Sequence, residues 1–487
     1  MRAMCQPWKE KTMRNLKPFV LSCVAALVLS ACNFAPKYER PDVKLAQTWP
    51  VSDSAQAKSI ATLNWETLYP DPRLQALIHT ALEKNYDLRL AVAHLQEARA
   101  LWGVQKADQL PNASVGVSRT GSRTPASVLN NAQPAYETNS YSAGLNLLSY
   151  EVDVWGRVAN LSAAAKANYV ASEEDRRTIR MSLISDVANA YLQVQELEER
   201  TGLAINTVET RSKSLALVRA KRDLGAASDL DVLTAEGSLS SAQADASALD
   251  RQRQQAINGL KLLIGGDWPA NLPASPVLSA QTLPPQLLAD VPSQVLLDRP
   301  DVRAAEQRLI AANANIGAAR AAFLPKIQLT GSLGSASPSL SGLFGAGTKS
   351  WSFVPSIQAP LFDAGRNSAN LDVAQARKVA AVASYEKTIQ TAFREVADLL
   401  VAQATLQDQL QAQNANLKSQ NERLRLVQSR YDLGSANQLE LLDAQRDSYT
   451  AQQNAVQVLR QLFSTTALLF KALGGGDEVR PTPTKKP

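Results

Sequence analysis

The sequence predicts a mainly helical chain that also carries four β-strands. It reads as a tandem duplication in which each copy supplies one strand pair and one long helical hairpin, and the strands can close into a transmembrane β-barrel only with other chains. Three observations carry this: an internal repeat, two long proline-free spans, and a switch of hydrophobic period from helical to two between them. In the repeat, "DLRLAVAHLQEARALWGVQKADQLP" (87–111) aligns with "DVRAAEQRLIAANANIGAARAAFLP" (301–325), pairing Arg89 with Arg303, Leu95 with Leu309 and Gly103 with Gly317. The offset is 214 there and becomes 209 from Gly156-Arg157 and Gly365-Arg366 onward, through "DLGAASDLDVLTA" (223–235) and "DLGSANQLELLDA" (432–444).

The chain opens with an export signal, residues 1–31, whose better-formed version starts at Met13: basic Arg14 and Lys17, then an apolar run too short to span a bilayer stably. It ends in "LSAC" (29–32), which resembles the lipobox of bacterial lipoproteins. Cys32 would then become an acylated N-terminus carrying S-diacylglycerol and N-palmitoyl groups, and Asn33 after it permits sorting to the outer membrane. An irregular lead follows, residues 32–71.

Repeat 1 occupies residues 72–266 and repeat 2 residues 300–473. No proline falls between Pro134 and Pro269 or between Pro360 and Pro481, and these spans are rich in Ala, Leu, Gln, Glu, Arg and Lys. Ile184, Val187, Tyr191 and Val194 draw one helical stripe. Helices over 157–222 and 366–431 would each run roughly 100 Å at about 1.5 Å per residue. Both end at Asp-Leu-Gly and resume three or four residues later, so Leu224, Gly225, Leu433 and Gly434 are read as hairpin tips, with glycine in the left-handed conformation.

Between helices the period is two. Ala113, Val115 and Val117 alternate with Ser114, Gly116 and Ser118, while Trp351, Phe353, Ile357, Ala359 and Leu361 share a side opposite Ser352, Ser356 and Gln358. Each repeat thus supplies a strand pair joined by a Gly, Ser and Asn rich loop. Four such strands cannot close a barrel, since about eight are needed even for a filled one. An apolar outer and polar inner face is what a membrane pore requires. A Pro-rich linker, residues 267–299, joins the repeats, and 474–487 reads as a disordered tail.

Composition narrows function. Of 487 residues, 51 are basic and 45 acidic, evenly interleaved, which points away from nucleic acid. Cys5, Cys23 and Cys32 are the only cysteines and His79 and His94 the only histidines, so neither a disulfide framework nor a His/Cys metal site is expected in the mature body. No nucleophile, base and oxyanion set is discernible, and "GSLGSASPSLSGLFGAG" lacks the Lys-Ser/Thr that closes a phosphate loop. The chain is read as no enzyme, with no metal and no cofactor beyond the lipid.

In combination, "LSAC", "EVDVWGR" (151–157), "DRPDVRAAE" (298–306), "LPKIQLTG" (324–331), "APLFDAGR" (359–366) and "YDLGSANQLELLDAQR" (431–446) resemble the outer membrane factors of tripartite efflux and secretion systems. These are the TolC-like proteins, and the likeness is to their lipoprotein branch. The resemblance covers the chain from about Cys32 to Gly474. It implies a homotrimer with a twelve-stranded barrel in outer membrane lipid, continued by a helical barrel across the periplasm. It also implies docking to a periplasmic adaptor and an inner membrane transporter of the proton-driven RND type. Carried onto matching positions, the periplasmic gate would involve Leu439, Glu440 and Asp443, with Asp231 from the first repeat. Leu439 and Asp443, four apart, share a helix face, and a trimer would turn each carboxylate into a ring of three. Drug or small-amphiphile efflux is the favoured cargo. A duct for type I protein secretion and a pore-less coiled-coil spacer are the alternatives.

Overall fold

The computed structural model describes residues 33–43, 64–126, 134–281 and 293–475. Cys32, the export signal and most of the expected tail lie outside the described residues. The principal elements, in order, are α1 (Trp65–Leu68), α2 (Pro72–Lys84), α3 (Tyr86–Ala107), β1 (Asn112–Thr124), β2 (Tyr136–Val152), α4 (Arg157–Asp223) and α5 (Asp229–Leu263). They continue as α6 (Pro300–Ala321), β3 (Lys326–Ser337), β4 (Lys349–Gln358), α7 (Arg366–Asp432) and α8 (Gln438–Ala472). The duplication is visible in the lengths: α3 and α6 have 22 residues each, α4 and α7 have 67, α5 and α8 have 35. The lead expected to be irregular contains the one-turn α1, capped by the Asn64 side chain. The linker contains two short 3-10 turns, Leu278–Ala280 and Ser293–Asp298.

Two compact units form, and neither is a repeat. The first contains, among described residues, 33–41, 95–171 and 305–385; the second contains 64–94, 172–304 and 386–475. Each takes equivalent pieces from both copies.

The first unit holds one antiparallel sheet in the order β1-β2-β3-β4. Its registers align Val115 with Leu145, Leu145 with Leu333, and Leu333 with Trp351, so one apolar row crosses all four strands. The neighbouring rows pair Ser118 with Ser142 and Ser332 with Ser352, each hydroxyl pair 2.8 Å apart. A bulge in β2 between Leu147 and Tyr150 inserts one residue, which returns Tyr150 and Val152 to the apolar side, opposite Leu329 and Ile327. Val115 is 82% and Trp351 72% exposed, so nothing among the described residues covers the apolar face there. β4 stops at Gln358, not at Leu361 as the alternation suggested: Pro360 has no N–H to give the ladder, and Leu361 stands 98% exposed beyond the sheet.

The Gly-Arg landmarks of the two repeats make the strand-to-helix corners. Gly156 and Gly365 have φ of 71° and 85°, a region that glycine enters without strain. Asp153 accepts from the Ala159 N–H at 2.6 Å and Asp363 from the Asn367 N–H at 2.9 Å, capping α4 and α7. Trp155 Nε1 donates to Pro325 O at 2.8 Å, and Arg157 grips Glu151 through two 2.7 Å bonds, locking the corner to the strands. The lead lies along α6 in extended form. Phe34 packs on Trp155, Asn313 donates to Pro36 O at 2.6 Å, and Arg40 binds Glu306 through two 2.7 Å bonds. Gly317 makes this seat possible, because a Cβ there would stand 2.7 Å from the Ala35 nitrogen.

In the second unit the hairpins pack by the same residues in both copies. Leu215 and Val218 meet Val232 and Ala235; their counterparts Leu424 and Val427 meet Leu441 and Ala444. Buried Arg299 of the "DRPD" motif joins Asp301, Glu395 and the Ala472 carbonyl at the end of α8.

Candidate functional site

The hairpin tips are built alike. At the end of α4 the Gly225 N–H donates to Arg222 O and the Ala226 N–H to Lys221 O, both at 2.8 Å; at the end of α7, Gly434 reaches Tyr431 O at 3.0 Å and Ser435 reaches Arg430 O at 2.8 Å. Both glycines have φ of 74°, as the Asp-Leu-Gly motif implied. The turn leaves Leu224 and Leu433 exposed, at 84% and 83%.

The four residues expected at the gate occupy distinct settings. Leu439 is exposed in the first turn of α8, free to meet another chain. Asp231 closes a capping box: its carboxylate accepts from the Ser228 N–H at 2.9 Å and hydroxyl at 2.7 Å, and these bonds hold its pKa below the ordinary carboxylate value. Its repeat counterpart Glu440 does other work. Asn437 caps α8, accepting from the Glu440 N–H at 2.8 Å, and the freed Glu440 carboxylate pairs with Arg430 at 2.8 Å. Asp443 pairs with Arg446 one turn on, at 3.0 Å.

Sequence reasoning named the carboxylates and not the cations that pair with them. Arg446 also contacts Asp447 at 3.1 Å, which in turn binds Arg423 at 2.6 Å and has its pKa lowered by it. The i,i+3 spacing of Asp443 and Arg446 was the available signal. Nothing in local spacing announced Lys221, whose ammonium lies 4.4 Å over the Tyr431 ring and donates to its hydroxyl at 3.2 Å. Nor did it announce Arg211, buried between the hairpins. Its Nη2 meets Leu442 O at 3.5 Å and its Nη1 finds no hydrogen-bond partner among the described residues. Burial, then the nearby Arg446 charge, lowers the Arg211 pKa. With Gln438 donating to Ser214 Oγ at 3.2 Å, these contacts bind the first hairpin to the second within one chain.

Elsewhere the histidines are ordinary: His79 packs on Trp65 and lies 3.4 Å from Glu66, and His94 is exposed. No group of metal-ligating side chains is found among the described residues. No described helix is long and apolar enough to cross a membrane.

Comparison with known proteins gives one consistent answer. A family model, "Outer membrane efflux protein", matches residues 77–266 and 291–475. The chain is 43% identical over 468 residues to outer membrane protein OprJ of Pseudomonas aeruginosa, covering 95% of this chain and 96% of that protein. It is 41% identical over 471 residues to the toluene efflux pump outer membrane protein TtgF of Pseudomonas putida, covering 95% and 97%. Its fold is similar to the open-state crystal structure of the Neisseria gonorrhoeae MtrE outer membrane channel, with a TM-score of 0.82 at 39% identity over 91% of this chain and 98% of that one.

Proposed function

Because the chain belongs to the outer membrane efflux protein family, we propose that three copies of it form the exit duct of a tripartite pump. It is an outer membrane channel of drug or solvent efflux, extends into the periplasm and is no enzyme. The observation that carries the trimer is the sheet: four strands with one apolar and one polar face, whose outer edges on β1 and β4 have no strand partner among the described residues. Lipid leaves no backbone group unpaired, so such edges must meet other copies. Three copies of four strands give a twelve-stranded barrel, wide enough for an aqueous bore.

In this reading a periplasmic adaptor and an RND-type inner membrane transporter complete the pump and supply the energy. Cys32 carries the lipid anchor, and the docked lead supports its placement: Asn160 at the start of α4 donates to Asn33 at 3.0 Å, next to the sheet. The resting duct is closed at its periplasmic end by a collar of Leu439 and a ring of Asp443, with Glu440 and Asp231 nearby. Exposure of Leu439 and the shared face with Asp443 support this. Crosslinking in membranes tests the assembly: products should stop at three chains, and a stable folded monomer in detergent would overturn it.

A further inference from the structure

The first unit contains a groove of about 460 Å³ between α4, α6 and α7, which the gate and the anchor do not use. Its floor is alanine, including Ala311, Ala312 and Ala319; its lining holds Arg157, Arg308, Lys326 and Arg377 and no carboxylate. Two observations fix which way it opens. Lys326 begins β3 in line with Gln328, Thr330 and Ser332, on the sheet's polar side, whereas Ile327, Leu329 and Leu333 take the apolar side. On α6, the lining positions 311, 315 and 318 lie on the helix side opposite Asn313 and Gly317, which seat the lead. The groove therefore faces the bore, and the lead and its anchor face away.

We propose that this groove is a way station for anionic amphiphiles crossing the duct, the apolar body lying on the alanine floor and the anionic head drawn to the exposed cations, Lys326 or Arg377. The inference rests on the channel reading, and three grooves would ring the bore. The argument is charge complementarity. Arg157 is already held by Glu151 through two 2.7 Å bonds, but Lys326 and Arg377 are exposed on the lining, so each leaves a positive charge that an anionic head group can approach. The volume suits a small amphiphile and is within the usual range for ligand sites. A cationic amphiphile of the same size meets the like charges of Lys326 and Arg377 and is rejected.

The test uses the full-length protein in nanodiscs, equilibrium dialysis, and two ten-carbon probes below their micelle concentrations, decanesulfonate and decyltrimethylammonium, with empty nanodiscs as the blank. Parent protein should retain the sulfonate and not the ammonium. The double variant Lys326→Gln with Arg377→Gln, at exposed positions, should weaken sulfonate binding about tenfold. The charge-conserving pair Lys326→Arg with Arg377→Lys should keep it, and Ala312→Trp, which fills the floor, should abolish it. Sulfonate retention within twofold of the parent in the double Gln variant, or equal retention of both probes, overturns the proposal. Conductance of the parent in planar bilayers separates the two readings: absence of any channel refutes the duct, and a conducting channel with charge-blind dialysis refutes only the groove.

Discussion

Lys221 and Tyr431 join the two hairpins of one chain: the ammonium lies 4.4 Å over the phenol ring and donates to its hydroxyl at 3.2 Å. The repeat counterpart of Lys221 is Arg430, which turns back onto Glu440 of its own hairpin. The duplication thus diverged at this pair, leaving one cation to brace a tip and one to cross between tips. Tyr431→Phe removes a charge-assisted hydrogen bond worth about 1.5–3 kcal/mol, and Tyr431→Ala also removes a cation–π contact of about 0.5–1 kcal/mol. If closure depends on the brace, single-channel conductance should rise from parent to Phe to Ala. A Tyr431→Ala channel that conducts like the parent would show that the brace is not part of the gate.

Leu439→Ala combined with Asp443→Ala should raise conductance in planar bilayers and weaken cation preference, since local carboxylates set the field in a narrow pore. The Asp443 to Arg446 pair refines this expectation. Arg446→Gln leaves three uncompensated carboxylates at the constriction, so it should increase cation preference without removing the leucine collar. Unchanged selectivity in both variants would place the gate on other residues.

The seat of the lead makes a separate prediction about export. Glu306 is 7% exposed and is held by Arg40 and by the Tyr38 hydroxyl at 3.0 Å. Glu306→Gln removes bonds to a charged group, at a cost of about 2 kcal/mol. Limited trypsin digestion after Lys37 should then accelerate roughly tenfold or more, because cleavage follows local opening. Cleavage at the parent rate would mean the ion pair does not hold the lead.

Labelled palmitate should enter the parent protein and be lost from Cys32→Ala. Because the barrel inserts by its own apolar face, that variant should lose yield and sorting while retaining channel conductance. Equal labelling of both proteins refutes acylation at Cys32.

Acid should loosen the hairpin tips. Asp231 and Asp447 both have folded-state pKa values below those of the unfolded chain, from the Ser228 bonds and from Arg423 respectively. Their stabilisation is complete above the unfolded carboxylate value of about 3.9 and is lost as pH falls through the lower folded value. Hydrogen exchange at the start of α5, corrected for its intrinsic pH dependence, should rise below about pH 4. Asp231→Asn should flatten that rise, and a parent-like profile in the variant would remove the capping box from the explanation.

The sequence by itself determined everything that depends on period, punctuation and duplication. Proline-free spans bounded α4 and α7, Asp-Leu-Gly marked both tips, and alternation found four strands and their faces, because helix, turn and strand preferences are local. It overran β4 by passing over Pro360. What it could not yield is everything set by residues distant in the chain. The cations that join the hairpins, Lys221 and Arg211 above all, find Tyr431 and Leu442 only when the two hairpins pack. The seat of the lead needs Glu306 and Gly317, more than 260 residues away from Arg40 and Ala35. The compact units ignore the repeat boundary for the same reason: elements of the two copies pack on each other, as β2 on β3 and Ala164 and Ala167 on Ala311 and Ala314, and burial is decided by packing in space and not by order along the chain.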